Sequence, residues 1–204
     1  MVSNTDKWDE EKIMSVLVKS SGFNLKLTKA FEGIEKPFTV LTLVDPKDQP
    51  MLRSAMVKKY MEKDACIIYI TLSTGYNKLK EDFEKEKINT KDIQFIDMVS
   101  KDRGVEIKDT AQVKYVESPM ELTDCLIKMD KLISENKEKT IVILDSVSTM
   151  LVYNQPTSIE KFVHSLIGKI SVANASAILF SSNAKESKSI TNTIGHFVDK
   201  IVEL

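Results

Sequence analysis

The chain has 204 residues, 42% of them hydrophobic and 29% charged, and a formal net charge of −1, the profile of an ordinary soluble globular protein with one substantial core. Near-neutral charge leaves no footprint for non-specific nucleic-acid binding, which needs a basic excess, and no apolar run approaches the roughly 18 residues of a membrane span. The polar, acidic start Met1–Lys12 is unlike a secretory signal, and the well-separated Cys66 and Cys125 both fall in apolar segments, as core thiols of a reducing cytoplasm do.

Residues 1–36 form an N-terminal arm. Trp8, Ile13, Val16 and Leu17 predict a short amphipathic helix ending near Gly22, and Phe23, Leu25 and Leu27 alternate like an edge strand. Such an arm either packs on its own domain or offers Trp8, Phe23, Leu25 and Leu27 to a neighbouring molecule. From 37 to 204 strand and helix patterns alternate as one domain. Strand Phe38–Val44 precedes a helix from about Pro50 to Lys63, strand Cys66–Leu72 a helix Tyr76–Lys87, and strand Gln94–Val99 a short strand near Gln112–Val116. Ser118-Pro119-Met120-Glu121 reads as an S-x-x-E capping box with proline at the first helical position. Its helix carries Leu122, Cys125, Leu126, Met129, Leu132 and Ile133 on one stripe. Strand Thr140–Leu144 ends in Asp145-Ser146. A second box, Thr157-Ser158-Ile159-Glu160, opens a helix burying Ile159, Phe162, Val163, Leu166, Ile167 and Ile170, and strands Ser176–Phe180 and Phe197–Glu203 close the chain. Continuous apolar strands between amphipathic helices predict an α/β fold, a mostly parallel sheet covered on both faces.

The connection after the first strand is the most informative segment. Strand, loop and helix are the setting of the phosphate-loop motif G-x-x-x-x-G-K-[ST], yet none of its determinants is present. Across Asp45-Pro46-Lys47-Asp48-Gln49-Pro50-Met51-Leu52, Asp45 and Pro50 take the glycine positions, and Met51 and Leu52 replace the lysine and the hydroxyl. A phosphate loop aims backbone N–H groups and a helix N-terminus at an anion. Pro46 and Pro50 each remove an N–H, and Asp45 and Asp48 bring carboxylates that complement the helix dipole themselves. A carboxylate about 6 Å from a phosphate charge costs roughly 3 kcal/mol at an effective dielectric near 20.

The order of these segments resembles the RecA-like ATPases and, within them, the KaiC-like family of archaea and bacteria. Four stretches carry the resemblance: Phe38–Val44, Cys66–Leu72 with its helix, Phe95-Ile96-Asp97-Met98-Val99-Ser100, and Thr140–Leu144 followed by Asp145-Ser146-Val147-Ser148. Phe197–Leu204 is similar to the family's closing strand. The resemblance implies a three-layer α/β/α sheet domain of P-loop type, in which Asp45–Leu52 is a vestigial Walker A region and Asp145 and Ser146 a vestigial Walker B. The adjacent acids that family members carry after the second strand fall on Ser73 and Thr74 here. A hydroxyl is no general base near neutral pH without a partner base. Asp145, the family's magnesium-supporting position, stands without its partners, and a lone carboxylate holds magnesium poorly. Its plainer role is that of a strand-end residue bonding neighbouring backbone or hydroxyls.

No other constellation carries chemistry. His164 lies beside its helix's apolar stripe, His196 lacks companions at metal-ligand spacing, and Ser146, Ser148, Ser181 and Ser182 lack a histidine in a nucleophile arrangement. Those serines and Asn183 do follow strand ends, where open α/β sheets bind ligands. The expectation is a non-catalytic RecA/KaiC-like protein, with no catalytic residue, cofactor or metal, acting in the cytoplasm as a regulatory or scaffolding subunit on a protein partner or on itself. Two alternatives stand beside it: a nucleotide sensor or ATPase with an unconventional site near Asp145, assisted by Lys47, and a nucleic-acid-binding paralogue.

Overall fold

The apolar runs of the sequence are strands covered on both sides. In the computed structural model, which describes residues 21–63, 65–104, 106–136 and 139–204, every residue of Thr140–Asp145 (β5) is buried. Ile141 and Ile143 enter one core and Val142 and Leu144 the other, as the two-residue period of a strand requires. The other strands are β1 (Thr39–Val44), β2 (Cys66–Thr71), β3 (Ile93–Asp97), β4 (Val113–Tyr115), β6 (Ser176–Ser182) and β7 (Lys200–Glu203). All pairings are parallel, in the order β4-β3-β2-β5-β6-β1-β7.

Helices α1 (residues 21–30), α2 (Gln49–Met61) and α3 (Tyr76–Lys85) cover one face, with Phe23, Leu27, Leu52, Met56, Leu79 and Phe83 in its core. Helices α4 (Leu122–Glu135), α5 (Val147–Met150), α6 (Pro156–Val172) and α7 (Lys188–Gly195) cover the other. The three-layer α/β/α architecture expected from the sequence is therefore what the chain adopts. β2 leads through α3 to β3 on one side, whereas its neighbour β5 leads through α5 and α6 to β6 on the other. The connections thus diverge between β2 and β5. That divergence leaves a crevice at their C-terminal ends, where open α/β sheets place their ligands.

Several local expectations change. Phe23, Leu25 and Leu27 do not form an edge strand. Residues 21–30 are helical, and Phe23, Leu27 and Phe31, spaced by four, are buried while Leu25 is 59% exposed. Over so short a segment alternation and helical spacing coincide, and burial in the core on the α1–α3 face of the sheet selects the helix. Phe23 and Leu27 are thereby committed to the chain's own core. Trp8, Ile13, Val16 and Leu17 lie outside the described residues.

Neither capping box forms. Ser118 closes a turn in which its carbonyl accepts from Glu121 N at 3.0 Å and its hydroxyl from Met120 N at 3.3 Å, and α4 begins only at Leu122. Helix α6 begins at Pro156, with Gln155 as its cap, because proline has no N–H to lose in the first turn. Thr157 therefore sits inside the helix. In α6 Ile167 is only partly buried. The last strand starts at Lys200, since Phe197 and Val198 pack against the α4–α7 face before it. Cys125 is buried as expected, but Cys66, at the start of β2, is only half-buried.

Candidate functional site

Asp145 ends β5 and is wholly buried beside Thr71 at the end of β2. Its carboxylate is enclosed by side chains. Gln49 Nε2 donates to Oδ1 at 2.5 Å, and Oδ2 accepts from the Tyr69 hydroxyl at 2.6 Å and from Arg53 Nε at 2.8 Å. Arg53 Nη2 lies 2.8 Å from the same oxygen, so the guanidinium meets it with two nitrogens. Arg53 Nε also donates to the Tyr69 oxygen at 3.1 Å, and Nη2 to Ser73 Oγ at 3.2 Å. Gln49 and Arg53 are four residues apart on α2 and so share the face turned to the strand ends. Tyr69 reaches them from β2 and is held by edge and tilted contacts with Phe83 and Phe95, at centroid distances of 5.9 and 6.0 Å.

The electrostatics follow from this enclosure. Burial works against the Arg53 charge, but Tyr69 and Asp145 outweigh it and hold the guanidinium above its ordinary pKa. Burial first, and then the neighbouring Asp145 charge, pushes the Tyr69 phenol well above its usual value, so Tyr69 stays a neutral donor. The Arg53 guanidinium and the Asp145 carboxylate therefore face one another as a buried ion pair. Both carboxylate oxygens of Asp145 are engaged by the protein. A metal ion here would have to displace these donors and approach a cation that cannot lose its proton. The residues present do not fit magnesium.

The loop after β1 is equally occupied with itself. Asp45 caps a short 3-10 turn, Pro46–Asp48, by accepting from Lys47 N at 3.0 Å, and the Lys47 ammonium folds back to Asp45 Oδ2 at 2.8 Å. That hydrogen bond raises the lysine's pKa, and the group remains solvent-exposed. Lys47 is thus turned to its own loop and makes no contact with Asp145. Pro50 occupies the first turn of α2, Met51 is half-buried, and Leu52 is buried in the core. Neither of the last two faces a ligand as the lysine and hydroxyl of a phosphate loop would.

Ser73 and Thr74 stand beside the network, their hydroxyls 3.5 Å apart, with Ser73 as the acceptor for Arg53. Ser146 is buried and caps α5, accepting from Thr149 N at 3.4 Å and lying 2.8 Å from the Thr149 hydroxyl and 3.1 Å from that of Ser148. Ser148 in turn accepts from Ser182 N at 3.1 Å. These hydroxyls splice β5, α5 and β6 together. Asp97 does the same for β3 and α3, accepting from the backbone of Tyr76, Val99 and Ser100 and from the Ser100 hydroxyl. His164 is exposed and packs edge-on against Phe197, and His196 is exposed. Among the described residues no three histidine, cysteine or acidic side chains are grouped to hold a metal, and no helix is long and apolar enough to cross a membrane.

Sequence reasoning placed Asp145 and, within the vestigial loop, Gln49 in the site but missed Arg53 and Tyr69. The role expected of Asp145, bonding backbone or hydroxyls, is filled only by the Tyr69 hydroxyl. A signal for Arg53 was present. Of 29 basic side chains only Arg53 and Arg103 are arginines, and Arg53 interrupts the apolar run around Met51, Leu52, Ala55 and Met56.

A seven-stranded parallel sheet with helices on both faces makes a three-layer α/β/α domain, and its fold is RecA/KaiC-like. Solved structures share it. The uncharacterized protein PH0321 from Pyrococcus horikoshii, crystallised with an unknown peptide, superposes with a TM-score of 0.68 at 12% identity, over 87% of this chain and 81% of that one. A KaiC-like protein, PH0186 from Pyrococcus horikoshii OT3, superposes with a TM-score of 0.50 at 14% identity, over 74% of this chain and 63% of its own length. No curated protein matches the sequence. The chain belongs to a family of unknown function, DUF7090, whose pattern matches residues 23–204.

Proposed function

We propose that this protein is a non-catalytic RecA/KaiC-like subunit that regulates or scaffolds through contacts with a protein partner or with copies of itself. One observation carries the reading: Arg53, Gln49 and Tyr69 saturate the carboxylate that a magnesium-dependent relative would leave open. The loop that would cradle phosphates, Asp45–Leu52, is a degenerate Walker A. It has lost two backbone donors to proline and turns its lysine onto Asp45. Ser73 and Thr74, where an acid would activate water, have no partner base among their hydrogen bonds. The similar protein PH0321 was crystallised with a peptide, which accords with a task performed by protein contact rather than by turnover.

Thermal denaturation with millimolar Mg-ATP tests the proposal. A ligand at a hundredfold excess over Kd stabilises the folded state by about 2.7 kcal/mol, worth about 5–11 °C for a chain of this size. The expected result is an unmoved Tm and no heat of binding in calorimetry. A rise of several degrees confirmed by calorimetry refutes the proposal.

A further inference from the structure

Arg53 is not fully used by the network around Asp145. Its guanidinium has five N–H donors. Nε bonds Asp145 and Tyr69, and Nη2 meets Asp145 and Ser73. Among the described residues Nη1 has no hydrogen-bond partner, and it is not among the side-chain atoms sealed from solvent without one. Arg53 is 8% exposed, and it lines a cavity of about 490 Å³ between α2 and α3, together with Ser73, Thr74 and Lys78. Arg53 therefore stands in the wall of this cavity with the two N–H groups of Nη1 unspent.

The charges around that cavity select the occupant. Asp145 cancels Arg53. Lys78 and Lys85 both lean on Asp82, at 2.7 and 3.5 Å, and Glu86 is balanced by Lys58 at 3.2 Å. The lining is left with one net positive charge. One oxygen of a carboxylate can accept from Nη1 while the other takes a flanking donor. A monoanion balances the single excess charge, whereas a phosphate dianion overshoots it beside Asp82 and Glu86. Pro50 adds apolar wall for the carbon chain behind the carboxylate.

We propose that this cavity is a binding site for a carboxylate, received by Arg53 Nη1 with the Ser73 hydroxyl and the Lys78 ammonium as flanking donors. The carboxylate comes either from a small free acid or from the C-terminus of a peptide. The site is independent of nucleotide chemistry, so it stands or falls separately from the non-catalytic reading.

The test is NMR titration of the full chain at fixed ionic strength, following the Arg53 Nε–H resonance and the Ser73 and Thr74 amides. Acetate, N-acetyl-alanyl-alanine, its C-terminal amide and inorganic phosphate are the probes. Saturable shifts with acetate or the free-acid dipeptide, absent with the amide and weaker with phosphate, are expected. The tighter of the two carboxylates identifies the source as a free acid or a peptide terminus. Ser73→Ala, which keeps Asp145 and Arg53 paired, should fold with a near-native Tm and bind about tenfold more weakly, the usual loss for a hydrogen bond to a charged group. Shifts no larger than those from chloride, equal binding of the amide, tighter binding of phosphate, or undiminished affinity in Ser73→Ala overturns the proposal.

Discussion

Replacing Arg53 by methionine isolates the interaction on which the candidate site is built. Methionine keeps most of the apolar stem but removes the guanidinium. Asp145, with no exposed surface, then loses both nitrogens that contact Oδ2 at 2.8 Å and keeps only Gln49 and Tyr69. A buried carboxylate stripped of its counter-ion costs about 3–5 kcal/mol, or about 6–20 °C in Tm for a chain of this length. Asp145→Asn should cost a comparable amount, because it leaves the Arg53 guanidinium, 8% exposed, without its negative partner. A strand-end carboxylate bonded only to backbone would tolerate asparagine at small cost. The double variant Arg53→Met/Asp145→Asn removes both charges and should be more stable than the sum of the single losses predicts, by about 1–3 kcal/mol. Urea denaturation followed by circular dichroism measures all four corners of the cycle, provided the m-value is unchanged. Single losses under 1 kcal/mol, or an additive double variant, would show that the pair holds nothing together.

A chain starting at Lys36 loses Phe23, Leu27 and Phe31, all buried in the core on the α1–α3 face of the sheet. At about 1.5–3 kcal/mol per side chain it should be unfolded or severely destabilised by circular dichroism. A folded chain with only its association altered, seen by light scattering, would restore the arm as an intermolecular contact. Stability should also fall at alkaline pH. Burial raises the Cys125 thiol and the Tyr69 phenol above their ordinary values of 9.0 and 10.0, and pushes Tyr60 up to about 12. The folded state keeps these protons while the unfolded chain releases them. Their contribution is complete below about pH 9 and is lost as pH rises toward the folded values, at about 1.4 kcal/mol per pH unit for each group in its window. Chemical denaturation at pH 8, 10 and 11 reads the slope, Tyr60→Phe should flatten it above pH 10, and constant stability from 8 to 11 would refute it.

The sequence by itself determined the layers. Runs such as Thr140–Leu144 and Ser176–Phe180 are apolar at every other position on both sides of the strand, which only a sheet covered twice can bury, and the stripes of α4 and α6 supply the cover. That the motif G-x-x-x-x-G-K-[ST] does not follow the first strand was equally legible, because it is written in consecutive residues. The fate of residues 21–30 was not, since Phe23, Leu25 and Leu27 satisfy a strand's period and, with Phe31, a helix's, and only burial in the core separates them. Nor were the starts of α4 and α6, where proline competes with the side-chain caps. The site needed the tertiary structure most. Asp145 could be located from the end of its strand, but its partners lie 96, 92 and 76 residues away in sequence. What joins them is the parallel pairing of β2 with β5 and the docking of α2 across their ends. Local chemistry is written in consecutive residues, whereas a buried charge is neutralised by whatever the fold brings beside it, and here that is Arg53.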